Sequence, residues 1–288
     1  MGTTPQYPPL NELLGYPKDS RLLILNADDA GVCHAINEGI VEIFKAGLVK
    51  SSSVMIPAPW LMEFVHLKKE NPAIKCGVHL TTTSEWRGLR WGPVASRDKV
   101  PSLLDSEGYF YASEHDFFAK AAPEEVELEF RAQIERAIAL GLQPTHIDSH
   151  MGAYHWDERF FQIAYELAKE FGLAMRIAYA PRRDRLRQEG KACVDRLIWD
   201  SYEVPIGDRS LYYRENLKRL EPGVTEIIIH PSKDTEELRA ICQNTAINRV
   251  FDLEFFSCQE IQTFLAREGI VCIGYDALQA LQRGKAAG

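Results

Sequence analysis

The sequence has few of the features that mark a disulfide scaffold, a zinc ribbon or a membrane protein. No two of its six cysteines form a Cys-x-x-Cys pair, so we predict reduced thiols and neither a disulfide framework nor a zinc knuckle. No apolar run approaches the roughly 20 residues that a membrane helix needs. The first six residues are polar and lack the apolar segment of a signal peptide. These absences favour a cytoplasmic protein with no membrane partner.

The chain also lacks an excess of positive charge. Its 33 Lys and Arg are outnumbered by 41 Asp and Glu, which gives a formal net charge of -8. An acidic chain is a poor match for phosphate backbones or anionic lipid, so nucleic acid is excluded as a main partner. A hydrophobic content of 45% over 288 residues is enough for a sizeable core. With no internal repeat or linker, we predict a single domain over 1–288, with its core at about 20–276.

Short apolar runs alternate with amphipathic stretches along the chain. Helical spacing of apolar residues begins near residues 36, 126 and 160, and each stretch ends near a glycine, namely Gly47, Gly141 and Gly172. Alternation of strands and helices indicates βαβ units and an α/β fold with a parallel sheet. An open doubly wound sheet and a closed barrel both fit this pattern. The predicted strands are 22–26, 52–56, 74–80, 145–148, 174–179, 226–230 and 271–274.

Two long stretches, 81–122 and 180–222, interrupt this alternation. Both carry Arg, Trp, Tyr and Gly without a clear period. We predict long loops over the mouth of the fold, because loops of that length in a compact domain are usually functional or disordered. Within the second stretch, the basic run 182–187 is typical of a solvated face. An anion or subunit contact is the alternative, and a homodimer is kept as a candidate assembly.

Several apolar strands end in side chains that can bind a metal or move protons. In parallel α/β folds the site lies at the carboxyl ends of the strands. We therefore expect these side chains to meet in a small volume. They are Asp28 and Asp29, His79, Asp148 and His150, and His230.

This mixture of groups suits metal-assisted hydrolysis. Two imidazoles and one carboxylate leave positions open on a metal for water and a substrate oxygen, and a second carboxylate can take a proton. Adjacent residues point in different directions, so one of Asp28 and Asp29 can hold the metal while the other faces the water. Each residue alone also fits a turn, a helix cap or a core histidine. The set together favours a metal site.

The motifs around these strand ends form an ordered set. They are Leu-Asn-Ala-Asp-Asp-Ala-Gly at 25–31, Ser-Ser-Ser at 51–53, Gly-Val-His-Leu at 77–80, Pro-Thr-His-Ile-Asp-Ser-His at 144–150 and Glu-Ile-Ile-Ile-His-Pro at 226–231. With these motifs in this order, the chain resembles the YdjC-like carbohydrate deacetylases, also called the ChbG/HpnK family. The resemblance implies a distorted (β/α)7 TIM-like barrel related to the polysaccharide deacetylases.

The resemblance also implies a role for each matching residue. Asp29, His79 and His150 match the metal ligands of the family. Asp28 matches the base that activates water, and His230 matches the acid that protonates the leaving amine. The implied reaction is hydrolysis of an N-acetyl group on an amino sugar or small glycan. The implied cofactor is one divalent metal ion, Mg²⁺ as usually assigned in the family, or Zn²⁺, which these ligands suit at least as well.

The chain departs from the family pattern directly after His150. Family members often continue with histidines at alternate positions, whereas here Met-Gly-Ala-Tyr intervenes at 151–154. We therefore name Tyr154, His155 and Trp156 as candidate substrate contacts. Arg176, in a predicted strand, is a further candidate, which could orient a catalytic carboxylate or bind the acyl oxygen. A structural ion pair is the alternative for this arginine.

Two other functions stay open beside the deacetylase. A metal-dependent sugar isomerase or aldolase-type barrel also uses His and Asp at strand ends, but it would normally want a lysine or further carboxylates there. No lysine stands at these strand ends. A non-catalytic sugar-binding protein that keeps the metal site would need neither Asp28 nor His230. Hydrolysis of a small carbohydrate is therefore the leading interpretation.

Overall fold

The fold is built on one parallel β-sheet, described by a computed structural model over residues 8–284. Every pairing between its named strands is parallel, and parallel neighbours need crossover connections, which the helices supply. The strands are β1 (Arg21–Ala30), β2 (Ser51–Val54), β3 (Cys76–Leu80), β4 (His146–Ser149), β5 (Ala174–Met175), β6 (Arg196–Ile198), β7 (Gly223–Ile229) and β8 (Ile270–Ile273).

Helices connect the strands and cover the outer face of the sheet. Among residues 8–284, none of them combines the length and the hydropathy needed to span a bilayer. They are α1 (Leu10–Leu13), α2 (His34–Ala46), α3 (Leu61–Glu70), α4 (Glu114–Lys120), α5 (Pro123–Ala139), α6 (Glu158–Phe171), α7 (Ala180–Gln188), α8 (Arg209–Lys218), α9 (Glu236–Cys242), α10 (Ala246–Ser257), α11 (Gln259–Arg267) and α12 (Tyr275–Gln282). Short 3₁₀ turns occur at Arg97–Lys99, Pro101–Leu103, His150–Gly152, Ile206–Asp208 and Gln243–Thr245.

Strand β1 lies at the centre of the sheet, whose order is β5-β4-β3-β2-β1-β7-β6. One edge of β1 pairs with β7. On the other edge β8 pairs with residues 21–24, and β2 pairs from residue 26 onward. All residues of β1 after Arg21 are buried. The strand therefore delivers the polar residues at its carboxyl end into the interior of the protein.

The sheet curls so that its two ends approach each other. Arg176 directly follows β5, at one end of the strand order, yet its guanidinium contacts Glu226 on β7, near the other end. The same guanidinium contacts Asp28 on β1. Side chains from strands far apart in the sheet order can meet in this way only across the concave face of a curled sheet. The architecture is therefore that of a distorted barrel with helices outside.

The segment 180–222 is the main difference from the sequence-based expectation. It was predicted as a long loop, but it contains α7, β6 and α8. Strand β6 has three half-buried residues, too few for a period-two pattern to show. The predicted strand 174–179 is limited to β5. In α5 the last residue of the face that packs against the core is Ala137, and the apolar Ile138 that follows it is exposed.

Candidate active site

The chain changes direction where β1 delivers Asp28 and Asp29. The register between β1 and β2 shifts between Ala27 and Ala30, and such irregularities re-aim side chains at sheet ends. Asp29 adopts a φ of 72°, a left-handed conformation that is unfavourable for a residue with a Cβ. The two neighbouring carboxylates consequently face different partners.

Asp29, His79 and His150 converge at the carboxyl ends of β1, β3 and β4. The Asp29 Oδ1 atom lies 3.3 Å from His79 Nε2 and 3.4 Å from His150 Nδ1. The candidate ligand atoms all lie within 4.8 Å of one another, and all three residues are buried. Oδ1 of Asp29 has no hydrogen-bond partner among the described residues. A buried carboxylate oxygen without a donor, facing two imidazole nitrogens, fits a divalent cation.

Each of the two imidazoles also contacts a second carboxylate through the ring nitrogen that points away from Asp29. His79 Nδ1 lies 2.8 Å from Asp148 Oδ1, and His150 Nε2 lies 3.0 Å from both carboxylate oxygens of Glu85. His79 therefore presents Nε2 to the centre, whereas His150 presents Nδ1. Carboxylates in this position orient metal-binding histidines and raise their basicity. We call Asp29, His79, His150 and Glu85 the ligand cluster.

The electrostatics of the ligand cluster favour charged side chains in the absence of a cation. Burial opposes protonation of His79, but Asp148 and Asp28 outweigh it and raise its pKa to about 10. Burial likewise opposes protonation of His150, yet Glu85 and Asp29 raise its pKa to about 9. Burial would raise the pKa of Asp29, but Arg249 and the two imidazoles hold it well below its ordinary value. A cation that binds here would displace protons from the histidines.

Asp28 belongs to a different set of contacts inside the barrel. Arg176 donates to both of its oxygens, at 2.7 and 2.8 Å. The same guanidinium lies 2.9 Å from Asp148 Oδ2 and 2.8 Å from Glu226 Oε1, and the Tyr275 hydroxyl donates to Glu226 at 2.5 Å. We call these five residues the inner network. Its arginine faces three buried carboxylates, so it orients Asp28 and forms a structural ion pair at the same time.

His230 directly follows β7. Its backbone N–H donates to Asp252 Oδ2 at 2.9 Å, which fixes the turn after the strand. Its ring packs against Tyr202 with the ring centroids 5.1 Å apart. Its Nδ1 lies 3.8 Å from Asp200 Oδ2 and has no hydrogen-bond partner among the described residues.

A cavity of about 580 Å³ opens above the ligand cluster and reaches His230. Of the predicted substrate contacts, His155, Trp156 and Arg176 line it. Tyr154 does not; it is buried beneath the cleft, and its hydroxyl donates to the carbonyl oxygen of Arg176 at 2.8 Å. Tyr154 therefore supports the strand ends, which corrects its assignment to the substrate surface.

Aromatic side chains form part of the cavity wall. Trp156 and Trp199 stack with centroids 6.2 Å apart and an interplanar angle of 21°, and both remain substantially exposed. Trp86 lies deeper, with its ring 6.4 Å from that of His150. His155 is buried behind them, and its burial, together with the positive charge of Arg176, lowers its pKa to about 3. His155 is therefore a neutral imidazole.

The segment 81–122 is anchored to α5 by buried polar contacts. The Glu129 carboxylate accepts hydrogen bonds from the backbone N–H groups of Val94 and Ala95, at 3.0 and 2.9 Å. The Gln133 side chain bonds both the N–H and the carbonyl of Thr81. These contacts hold the start of the segment against the barrel, and so they position Glu85 and Trp86 over the cleft.

Several residues of the site were not predicted individually from the sequence. Glu85, Trp199 and Asp200 lie in the two stretches that have no period, where functional loops were predicted without a role for these residues. Arg249 lies on α10 and contacts Asp29 from 220 positions away. An arginine in an amphipathic helix gives no local indication of such a contact.

Comparisons with known proteins agree with the resemblance found in the sequence motifs. The model of the family described as YdjC-like protein matches residues 22–267. The chain is similar to proteins named carbohydrate deacetylase from Brevibacillus brevis, at 32% identity over 89% of this chain and 99% of the relative, and from Thermoanaerobacter pseudethanolicus, at 28% over 90% and 100%.

Solved structures extend the comparison to the fold. An Enterococcus faecalis crystal structure, described as that of a proposed cellobiose-phosphate cleavage protein, has a TM-score of 0.79 at 28% identity, covering 90% of this chain and 99% of that one. A Streptococcus mutans CE4 esterase has a TM-score of 0.50 at 11% identity, covering 92% and 89%. The second likeness concerns the fold alone, and it confirms the predicted barrel type.

Proposed function

The chain belongs to the YdjC-like protein family, and from this membership we propose that it is a metal-dependent hydrolase that removes an N-acetyl group from an amino sugar or short glycan. Relatives along nearly the whole chain are named carbohydrate deacetylase. One observation carries the metal dependence: Oδ1 of Asp29 is buried between two imidazole nitrogens, at 3.3 and 3.4 Å, yet forms no hydrogen bond among the described residues. It lies in the same cleft as Asp28 and His230.

Asp29, His79 and His150 are proposed to hold one divalent cation, Mg²⁺ or Zn²⁺. Two imidazoles and a carboxylate are the donor set of many catalytic zinc sites. A cation bound there would lower the pKa of a coordinated water and polarise an acyl oxygen. Asp148 and Glu85 would keep the two imidazoles in the required orientation.

Asp28 is proposed to take a proton from the attacking water. Its carboxylate lines the cleft, and Oδ2 lies 3.9 Å from His79 Nε2, so it borders the proposed metal site without occupying it. Arg176 contacts both of its oxygens. A base fixed in one orientation is positioned for proton transfer before the substrate binds.

His230 is proposed to protonate the departing nitrogen. It lines the same cavity as Asp28, Asp29, His79 and His150. The hydroxyl of the water bonds to the acyl carbon, the C–N bond breaks, and the nitrogen receives a proton from His230. Acetate and a free amine leave, Asp28 releases its proton to solvent, and His230 takes one up, which returns both side chains to their starting states.

The aromatic wall supports a carbohydrate substrate. Trp156 and Trp199 expose apolar ring faces beside the cleft, and aromatic rings with a polar surround suit the apolar faces of sugars. The volume of the cavity, about 580 Å³, lies in the usual range for small-molecule sites.

The test is acetate release from a panel of N-acetylated mono- and oligosaccharides. The protein is stripped with a chelator and then assayed alone and with Mg²⁺, Zn²⁺, Mn²⁺ or Co²⁺. We expect acetate to appear only when metal is restored. An isomerised sugar of unchanged mass, or sugar binding without acetate release under every metal, would contradict the proposal.

A further inference from the structure

Arg249, on α10, contacts the proposed metal ligand Asp29 at one oxygen only. Its Nη2 lies 2.7 Å from Asp29 Oδ2, while Oδ1 of the same carboxylate faces the two imidazoles. We propose that Arg249 is a positioning residue that limits Asp29 to a single metal-facing oxygen. The proposal rests on the proposed function, because it requires a cation at the ligand cluster.

The two adjacent aspartates show how such a restriction arises. Arg176 donates to both oxygens of Asp28, at 2.7 and 2.8 Å, so a cation at Asp28 would lie beside the positive charge of the guanidinium. Arg249 covers only one oxygen of Asp29 and leaves the other without a donor. The two arginines thus distinguish two chemically identical neighbours. They explain why Asp29 and not Asp28 is available as the ligand.

The burial of Arg249 lowers the stability of the fold unless its unpaired donors have a partner at the site. The residue is 3% exposed, and its Nε and Nη1 atoms are buried without hydrogen-bond partners among residues 8–284. Buried donors are nearly always satisfied, because an unmet one is destabilising. Arg249 lines the cleft, so its unpaired donors lie beside the space that a ligand would enter.

A carboxylate can bind a cation through one oxygen or through both. Two-oxygen binding by Asp29 would require Oδ2 to leave a buried ion pair, and breaking such a pair is strongly unfavourable. Single-oxygen binding leaves more coordination positions for water and substrate, which catalysis at a metal needs. Arg249 is therefore placed to keep coordination positions of the proposed metal free for water and substrate.

The test uses Co²⁺ in place of the native metal, because its visible absorption reports coordination number independently of activity. Three proteins are compared: the wild type, Arg249→Met and Arg249→Lys. In Arg249→Met, Oδ2 is released and Asp29 can bind through both oxygens. We expect weaker visible bands, because the coordination number rises when a second oxygen of Asp29 binds. Arg249→Lys keeps a cationic donor and should restore the wild-type spectrum.

A matched control is Arg209→Met. Arg209 is also a buried arginine paired with an aspartate, Asp252, at 3.2 Å, but it does not contact the ligand cluster. We expect its Co²⁺ spectrum to match the wild type even if its thermal midpoint falls. Should Arg249→Met fail to fold, Arg249→Gln removes the same charge and carries the same spectral expectation.

The outcomes separate this inference from the proposed function. If wild-type protein binds no Co²⁺, the metal site itself is wrong. If wild-type protein binds Co²⁺ and the neutral variant at 249 gives an unchanged spectrum, Arg249 is not a positioning residue, although the metal site stands.

Discussion

The inner network and the ligand cluster begin at neighbouring residues of β1, yet they differ in how completely their polar atoms are paired. In the inner network Arg176 contacts three carboxylates, and Glu226 also receives the Tyr275 hydroxyl. In the ligand cluster, Oδ1 of Asp29 has no donor among the described residues. Satisfied polar groups stabilise a fold, whereas an orphaned buried oxygen indicates a missing partner. The inner network therefore holds Asp28 in a fixed position, whereas the ligand cluster is the candidate binding position.

The sharpest test of this difference is the pair Asp28→Asn and Asp29→Asn. If Asp28 is the base, Asp28→Asn should lower kcat by about 10²–10⁴-fold, the usual contribution of a general base, at unchanged metal content. Asp29→Asn should lose the metal itself. Metal content is measured by elemental analysis and kcat by acetate release at saturating metal. Normal turnover in Asp28→Asn would remove Asp28 from the mechanism.

Arg176→Met tests whether the inner network supports the fold. The change leaves three buried carboxylates without their cation, so we expect the free energy of unfolding to fall by about 3–5 kcal/mol. Urea denaturation of metal-free protein measures it. Arg131→Met is the control, because its pair with Glu170 is largely exposed and should contribute under about 1 kcal/mol. An equal fall in the free energy of unfolding of the two variants would mean that the inner network stabilises the fold no more than the surface ion pair does.

Glu85→Gln tests the outer contact of the ligand cluster. The amide still reaches His150, but it lacks the charge that raises the basicity of the imidazole, so metal affinity should fall roughly 10–100-fold. Chelator competition measures the dissociation constant. Glu114→Gln is the matched control, since Glu114 lines the same cleft without a hydrogen bond to His150 among the described contacts. A similar loss in both would point to the overall charge of the cleft instead.

Trp199→Ala should have the smallest effect. It removes one exposed ring of the stacked pair with Trp156, so an oligosaccharide should lose about 0.5–1.5 kcal/mol of binding, the usual worth of an aromatic pair. KM is expected to rise while kcat and metal affinity stay unchanged. Trp60→Ala, at another exposed tryptophan outside the cleft, should leave KM as it is. A fall in kcat with KM unchanged would contradict a role in binding.

The sequence predicted the parts of the site that depend on the strand-end rule. Asp28, Asp29, His79, His150 and His230 lie at or just beyond the carboxyl ends of apolar strands, and the structure brings them to one cleft. This was possible because parallel strands share one carboxyl edge. Short apolar runs also located the strands of the sheet, apart from β6.

The contacts made by long side chains across the barrel could not be predicted in this way. Glu85 and Arg249 reach the cluster from outside the strand ends, and no local pattern records which way they point. The burial of Tyr154 depends on the turn after β4, where Met151 has a φ of 48°. Side-chain direction within such a turn has no fixed period, so sequence spacing could not separate Tyr154 from Trp156.

The left-handed backbone of Asp29 sets a conflict between stability and activity. A φ of 72° costs a residue with a Cβ of the order of 1 kcal/mol or more, a penalty that glycine escapes. Replacing Asp29 with glycine would remove that penalty, but it would also leave the buried Arg249 guanidinium without its carboxylate, which is more destabilising. Laboratory evolution toward heat resistance, without selection for turnover, should therefore replace Asp29 only together with Arg249.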